Sequence, residues 1–324
     1  MRVRLPPLLL FLLLCWPQSA LAYPWPIKPF DKQHVIRANF GDPRTRFWNT
    51  LLTDGIDGPG LFQFHNGIDI PAPEGTPVYP VISGRVKLLD DTAVSVRTKG
   101  HGTFQYFHII PAVLDGEHVV ARRTLLGWVM RAYEHLHFTE IRGQRVWNPL
   151  ARGGIAPYRD STVPEVSSIS LRRVGSVLPL DTAGVCGNIS IAAAAFDPPS
   201  LRLPSAFADY AVSPALLTWT LRRVGGRAYV SNVPIADFRT TLPPARRFWN
   251  VYARGSFQNS PRFSNRQFFI PGRYFYNLST FFHTGSYPNG LYEIDVHASD
   301  MRGNSSDTQQ RFTIANRPDA SCAH

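Results

Sequence analysis

Turn residues constrain this chain more than anything else in its sequence. Before residue 150, "GDPR", "DGPG", "APEGTP", "KGHG" and "IRGQ" recur at short intervals. The stretches left between them, such as "TPVYPVISGRVKLL", "AVSVRTK", "TFQYFHII" and "HLHFTEI", alternate with period two and are rich in β-branched and aromatic residues. Short alternating runs bounded by Gly, Pro and Asp read as strands joined by tight turns. Residues 23–157 are therefore expected to form a compact antiparallel β domain.

"APYRDSTVPEVSS" reads as a linker, and alternation resumes beyond it in "SSISLRRV", "NISIAAAAFD", "LLTWTLRRV", "RAYVSNV", "LYEIDVHASD" and "QQRFTIANR". "DMRGNSSDTQ" supplies the turn between the last two, and the pattern suits a β-sandwich over residues 158–318, followed by a tail at 319–324. "FDPPSLRLPSAFADYAVSP" and "RTTLPPARRFWNVYARGSFQNSPRF" are too long and Pro-rich for hairpins and are expected to be ordered excursions. The whole chain thus reads as all-β.

At the start, Arg2 and Arg4 precede an apolar run from Leu8 to Trp16, with Ala20 and Ala22 flanking Leu21. That is the layout of a signal peptide over residues 1–22, with the mature chain beginning at Tyr23. The run is shorter than the roughly 18 residues that a membrane-spanning helix needs. Cys15 leaves with it, so Cys186 and Cys322 remain, too few for a cysteine zinc site and open to pairing in an oxidising compartment. The formal charge of +11 falls by two when Arg2 and Arg4 leave. In an exported protein such an excess favours anionic wall polymers or lipid head groups, and no basic helix stripe or interleaved aromatic run points to nucleic acid. There is no Walker loop, nucleophile elbow or dinucleotide fingerprint.

Histidine is concentrated in the first part: His34, His65, His101, His108, His118, His135 and His137 precede residue 150, and only His283, His297 and His324 follow it. In "FHNGIDIP", His65 and Asp69 would stand roughly 13 Å apart on a straight strand, too far to share an ion. Asn66-Gly67 tolerates positive φ and can bend the chain so that both converge. A catalytic zinc site takes three His, Asp or Glu ligands and leaves a position open. "YEHLHFTEI" offers His135 or His137 as the third, both on one face of a strand and about 6.7 Å apart. His108, in the aromatic strand "FQYFHII", reads on its own as a core histidine.

Taken together, "FHNGIDIPAPEGTPVYPVISGRV", "QYFHI" and "HLHFTEI" resemble, in order, the motifs of the lysostaphin/LytM-type zinc endopeptidases, the twenty-third metallopeptidase family. The likeness covers roughly residues 37 to 150. It implies a LytM-like peptidase domain holding one Zn²⁺ by His65, Asp69 and His137, with His108 and His135 as catalytic histidines. It also implies an exported, periplasmic or extracellular enzyme that hydrolyses peptide bonds in peptidoglycan stem peptides or cross-bridges, or in another peptide substrate, by metal-activated water.

A non-catalytic LytM-like wall-binding or regulatory protein is the alternative. The Gly-Thr-Pro-Val pattern is similar also to phosphohistidine domains of sugar phosphotransfer systems, which work in the cytosol and so conflict with a leader. One stretch departs from the family: its usual Gly-rich turn before H-x-H is replaced by "LLGWVMRAYEHLHF", where Arg131, Tyr133 and Glu134 occupy the approach to the cleft. That loop either narrows or recharges the cleft, or is a stiffer hairpin that leaves it unchanged. Arg44 and Arg46 are further candidates to face the groove, and "YPWPIKPFDKQH" to pack on the peptidase or cover it. "GLYEIDVHASDMRGN" resembles the closing strands of immunoglobulin-like or fibronectin-like modules, which implies a spacer, a binding module or a lid.

Overall fold

The computed structural model describes residues 22–47, 60–100, 102–131, 133–176, 178–203, 210–258 and 272–316. Residues 1–21 of the expected leader, with Cys15, and also His101, Cys322 and His324 lie outside the described residues, as does the side chain of Arg46. Cys186 is disulfide-bonded. Among the described residues no helix is long and apolar enough to cross a membrane.

The chain is all-β, built from antiparallel sheets. Its first strands are β1 (Pro43–Phe47), β2 (Gly60–Phe64), β3 (Ile68–Pro71), β4 (Pro77–Val78), β5 (Gly84–Asp90) and β6 (Ala93–Thr98). Six more follow: β7 (Gly102–Phe107), β8 (Ile109–Pro111), β9 (His118–Val119), β10 (Gly127–Val129), β11 (His135–Arg142) and β12 (Arg145–Trp147). The main sheet runs β12-β11-β7-β6-β5-β9, with β3 also paired to β11. Two smaller sheets, β4-β10-β8 and the β1-β2 hairpin, flank it.

Strand β11 shows why alternation matters here. Leu136 and Phe138 have no solvent exposure and pack into a core with Ile68, Ile70, Phe104 and Tyr106. His135, His137 and Thr139 consequently leave the opposite face. A one-residue slip in register would exchange the two sets, so burial of the apolar side chains fixes where the imidazoles stand.

Beyond residue 157 come β13 (Glu165–Arg173), β14 (Asn188–Phe196), β15 (Leu216–Arg223), β16 (Ala228–Asp237), β17 (Phe275–His283), β18 (Gly290–Ser299) and β19 (Ser305–Ile314). They form the sheets β13-β14-β17 and β16-β15-β18-β19, which share one apolar core, the arrangement of a sandwich. The second Pro-rich excursion contributes a short helix, α1 (Phe248–Val251), whose Phe248 and Val251 enter that core.

The two halves do not pack separately. Phe40 and Phe64, from the first half, belong to the sandwich core. Gly41, at φ 96°, is a glycine because any Cβ there would meet the ring of Phe238 at 2.4 Å. Beside it, buried Asp42 accepts hydrogen bonds from Ser213 N (2.9 Å), Ser213 Oγ (2.6 Å) and Asn39 N (3.0 Å). Tyr252 Oη donates to Gly41 O at 2.8 Å.

The stretch from Tyr23 packs on the first core: Trp25 and Ile27 are buried in it and Trp25 Nε1 donates to Pro157 O. Asp42→Ala would strand three buried donors, and a loss of about 3 kcal/mol is expected from urea unfolding of the purified chain.

Candidate metal centre

Register places the site. In the β3–β11 pairing Asp69 stands directly opposite His137, and in the β11–β7 pairing His137 stands opposite Phe107. Directly opposed residues have Cβ atoms about 5 Å apart, close enough for side chains to meet. On its other edge Asp69 pairs with Ala38, through Asp69 N to Ala38 O (3.1 Å) and Arg37 N to Asp69 O (3.0 Å).

His65 arrives from the end of β2 and is held by His65 N to Asp42 O and Gly41 N to His65 O, both 2.8 Å. The bend expected at Asn66-Gly67 is present, but its physical reason differs. Neither residue has positive φ. Gly67 is required because a Cβ there would lie 2.3 Å from Phe138 O, so the chain can cross β11 only without a side chain.

His65, Asp69 and His137 converge, with one donor atom from each within 4.8 Å of the others. His65 Nε2 lies 2.8 Å from His137 Nδ1 and 3.2 Å from Asp69 Oδ1, and His137 Nδ1 lies 2.9 Å from Asp69 Oδ1. His65 Nδ1 donates to Asn39 O at 2.8 Å, which leaves Nε2 with a lone pair aimed at the centre. Three electron-rich atoms this close repel unless a proton or a metal cation lies among them.

Two imidazole nitrogens and one carboxylate oxygen are a donor set that zinc accepts. Each ring also has a partner on its far nitrogen, as ligating histidines usually do: Asn39 O for His65 and Thr139 Oγ1, at 2.9 Å, for His137. The residues present therefore fit a zinc ion.

Asp69 has no solvent exposure and divides its oxygens. Oδ1 faces the histidines, while Oδ2 accepts from Arg37 Nη2 at 2.6 Å and Arg44 Nη2 at 2.8 Å. Burial alone would raise this carboxyl, but Arg44, the imidazole of His65, Arg37 and His135 together hold it well below the usual range. His65 is pushed down to about 3, chiefly by burial and then by Arg44.

His135 is buried beside this set, with Nδ1–H donating to Tyr133 O at 2.6 Å. Its Nε2 accepts from Arg37 Nη2 at 3.3 Å and stands 3.5 Å from Asp69 Oδ2. His108 is not a strand residue, contrary to the sequence reading. It interrupts the chain between β7 and β8 at φ 67°, in the left-handed region. That kink turns its ring towards His135 and His137, at centroid distances of 4.8 and 6.1 Å. Burial pushes it down to about 4.

Stacked on His108 at 3.8 Å is the ring of Tyr133, from the loop before β11. Arg131 pairs only loosely with Glu74 at the surface. Tyr133 is one of the residues that the sequence places at the approach to the cleft, whereas Arg37, Asn39 and Thr139 were missed as site residues. An arginine inside the apolar stretch "VIRANF" was the available signal for Arg37; the others carry none.

A cavity of about 220 Å³ opens at the histidines, lined by Arg44, Gln63, Asn66, Phe107 and His108 among others. Among the described residues, nothing from the Pro-rich stretch after Tyr23 lines it. A larger cavity, about 720 Å³ around Arg97, Glu140 and Arg142, shares no residue with this site. His283 and His297 are exposed and bonded to Asn188 and Asp307, away from any metal-binding group.

No protein-family model matches the chain, and no curated protein matches it. Solved structures similar to it include a chain of the SpoIIQ–SpoIIIAH pore-forming complex, at 18% identity over 41% of this chain and 90% of that one, with a TM-score of 0.31. Others are the catalytic domain of the prophage-encoded M23 protein EnpA from Enterococcus faecalis (21% identity, 35% and 92% covered, TM-score 0.25) and the deep-sea M23 metalloprotease pseudoalterin (18%, 43% and 79%, 0.27). With scores at this level, the reading of the site rests on its own side chains.

Gly67→Ala tests that geometry directly. The added methyl must move β2 or β11, and a loss of at least about 2 kcal/mol in urea unfolding is expected, with weaker zinc binding in the fraction that folds.

Proposed function

We propose that this chain is an exported zinc endopeptidase acting on peptide bonds of peptidoglycan, with His65, Asp69 and His137 as metal ligands and His108 and His135 as the catalytic histidines. The observation that carries the reading is the convergence of His65 Nε2, Asp69 Oδ1 and His137 Nδ1 at a solvent-reaching cavity that His108 also lines. Export and an envelope substrate rest on the leader-like first residues and the basic mature chain.

A bound zinc ion would supply a Lewis acid that polarises the scissile carbonyl and makes water nucleophilic at neutral pH. The chain's own groups divide the remaining work. His108, held neutral by burial and steadied by Tyr133, has its ring at the cavity and can accept a proton there and return it to the leaving amine. His135 has its Nδ1 proton fixed on Tyr133 O and its Nε2 facing Arg37, so its task is to orient and polarise rather than to carry a proton away. Arg44, about one-third exposed at the cavity, offers a cation to carboxylates of a stem peptide.

One observation favours a second reading, a non-catalytic envelope-binding protein. Arg37 and Arg44 place two positive charges on the carboxylate that a metal cation would share.

Incubation of the exported chain with purified peptidoglycan, followed by mass spectrometry of soluble fragments, separates the two. New amino termini that vanish with chelator and return with zinc are expected; zinc-loaded protein that leaves the muropeptides intact would overturn the enzyme. His65→Ala is expected to lose stoichiometric zinc. His108→Ala is expected to keep zinc and lose about 10²- to 10⁴-fold in rate.

A further inference from the structure

Three carboxylates meet at the linker, in a group separate from the histidine set. Asp160 lies in the linker, Asp197 directly after β14 and Asp300 directly after β18, and one oxygen from each lies within 4.8 Å of the others. Asp197 and Asp300 are only 3% and 4% exposed. Like charges buried this close repel strongly unless something positive is shared among them.

Two of the three have protein donors. Asp160 Oδ1 accepts from Thr162 N and Thr162 Oγ1, and its Oδ2 from Tyr158 Oη. Asp300 Oδ1 accepts from Arg302 N and Asn304 N, and its Oδ2 from Asn304 Nδ2. Asp197 differs: its Oδ1 is completely buried and has no hydrogen-bond partner among the described residues. Among the described residues no lysine or arginine forms a salt bridge with any of the three. Arg302, in the turn after β18, directs its side chain to Tyr158. Its Nε donates to Tyr158 O at 3.1 Å, and its guanidinium lies over the Tyr158 ring at 4.7 Å. Burial first, then the charges of Asp160, Asp300 and Asp42, push the Asp197 carboxyl up to about 9.

We propose that Asp160, Asp197 and Asp300 bind a hard divalent cation of the calcium type. Calcium takes oxygen ligands at about 2.3–2.6 Å, so carboxylate oxygens up to about 5 Å apart reach one ion. An all-carboxylate set without imidazole or thiolate disfavours zinc, which keeps this site chemically distinct from the histidine one. The ion ties the linker to the ends of β14 and β18. Those strands belong to different sheets of the sandwich, so a single ion fastens both sheets to the segment that joins the two halves of the chain.

Calorimetry and thermal melting of the full exported chain, stripped with EGTA and titrated with Ca²⁺ or Mg²⁺ alone, test this. Saturating Ca²⁺ is expected to raise the melting temperature by about 5 °C or more. Asp197→Asn is expected to abolish the response while melting at or above the metal-free parent, because it removes the repulsion without removing bulk. A larger response to Mg²⁺ than to Ca²⁺ supports the site and assigns it to magnesium. No response of the parent to either ion overturns it in favour of a proton shared among the carboxyls. A response that survives in Asp197→Asn, or is lost in His65→Ala, overturns it by placing the ion elsewhere.

Discussion

The carboxylate of Asp69 is the point on which the site depends. It has no solvent exposure, yet two guanidiniums and three imidazoles lie within 3.5 Å of its oxygens. A buried charge of this kind is tolerable only when it is fully paired, and removing one partner of such a pair typically costs about 3–5 kcal/mol. Its backbone is committed as well, bonded to Ala38 and Arg37 on one side and opposed to His137 on the other. Arg37, His65 and His137 therefore come from three separate stretches of chain, and each is positioned by what it gives to one aspartate.

That dependence extends into the sandwich. Phe64 points into the sandwich core while His65, the next residue, points into the site, as alternation along an extended chain requires. Phe40 stands one residue after Asn39, whose carbonyl receives the His65 proton, and Asn39 Nδ2 itself donates to Ser213 O. The second half thus supplies part of the wall against which the histidine is set. A spacer on a loose tether would not share a core with the residues flanking His65 and Asn39, so the sandwich is scaffold for the site.

Much of this was legible in the sequence where a local rule governed it. Period-two alternation in "HLHFTEI" and "LYEIDVHASD" announced strands because one face of each is buried, and the spacing of His65 and Asp69 announced a bend because extended geometry forbids their meeting otherwise. Other features depend on partners distant in sequence. Gly67 looked like a turn glycine with positive φ, but its reason is the carbonyl of Phe138, about seventy positions away. His108 looked like a strand residue because its neighbours are apolar and aromatic, and nothing local marks the left-handed kink. Arg37 was invisible as a site residue because its partner is set by the β3 edge pairing, and Asp197 because burial and neighbouring carboxylates are tertiary facts.

The loop between β10 and β11 bears on both His108 and His135. The strands on either side of it lie in different sheets, so it is not the stiffer hairpin expected; Arg131 stays at the surface with Glu74, whereas the Tyr133 ring turns onto His108. Tyr133 touches both candidate histidines, stacking on His108 through its ring and accepting from His135 Nδ1 through its carbonyl. Arg37 meanwhile occupies the other nitrogen of His135. The two imidazoles are consequently not equivalent. One is capped on both nitrogens, while the other is clamped by a ring face and has no hydrogen-bond partner on its nitrogens among the described residues. Tyr133 and Arg37 together thereby give different surroundings to two histidines that the sequence alone would treat alike.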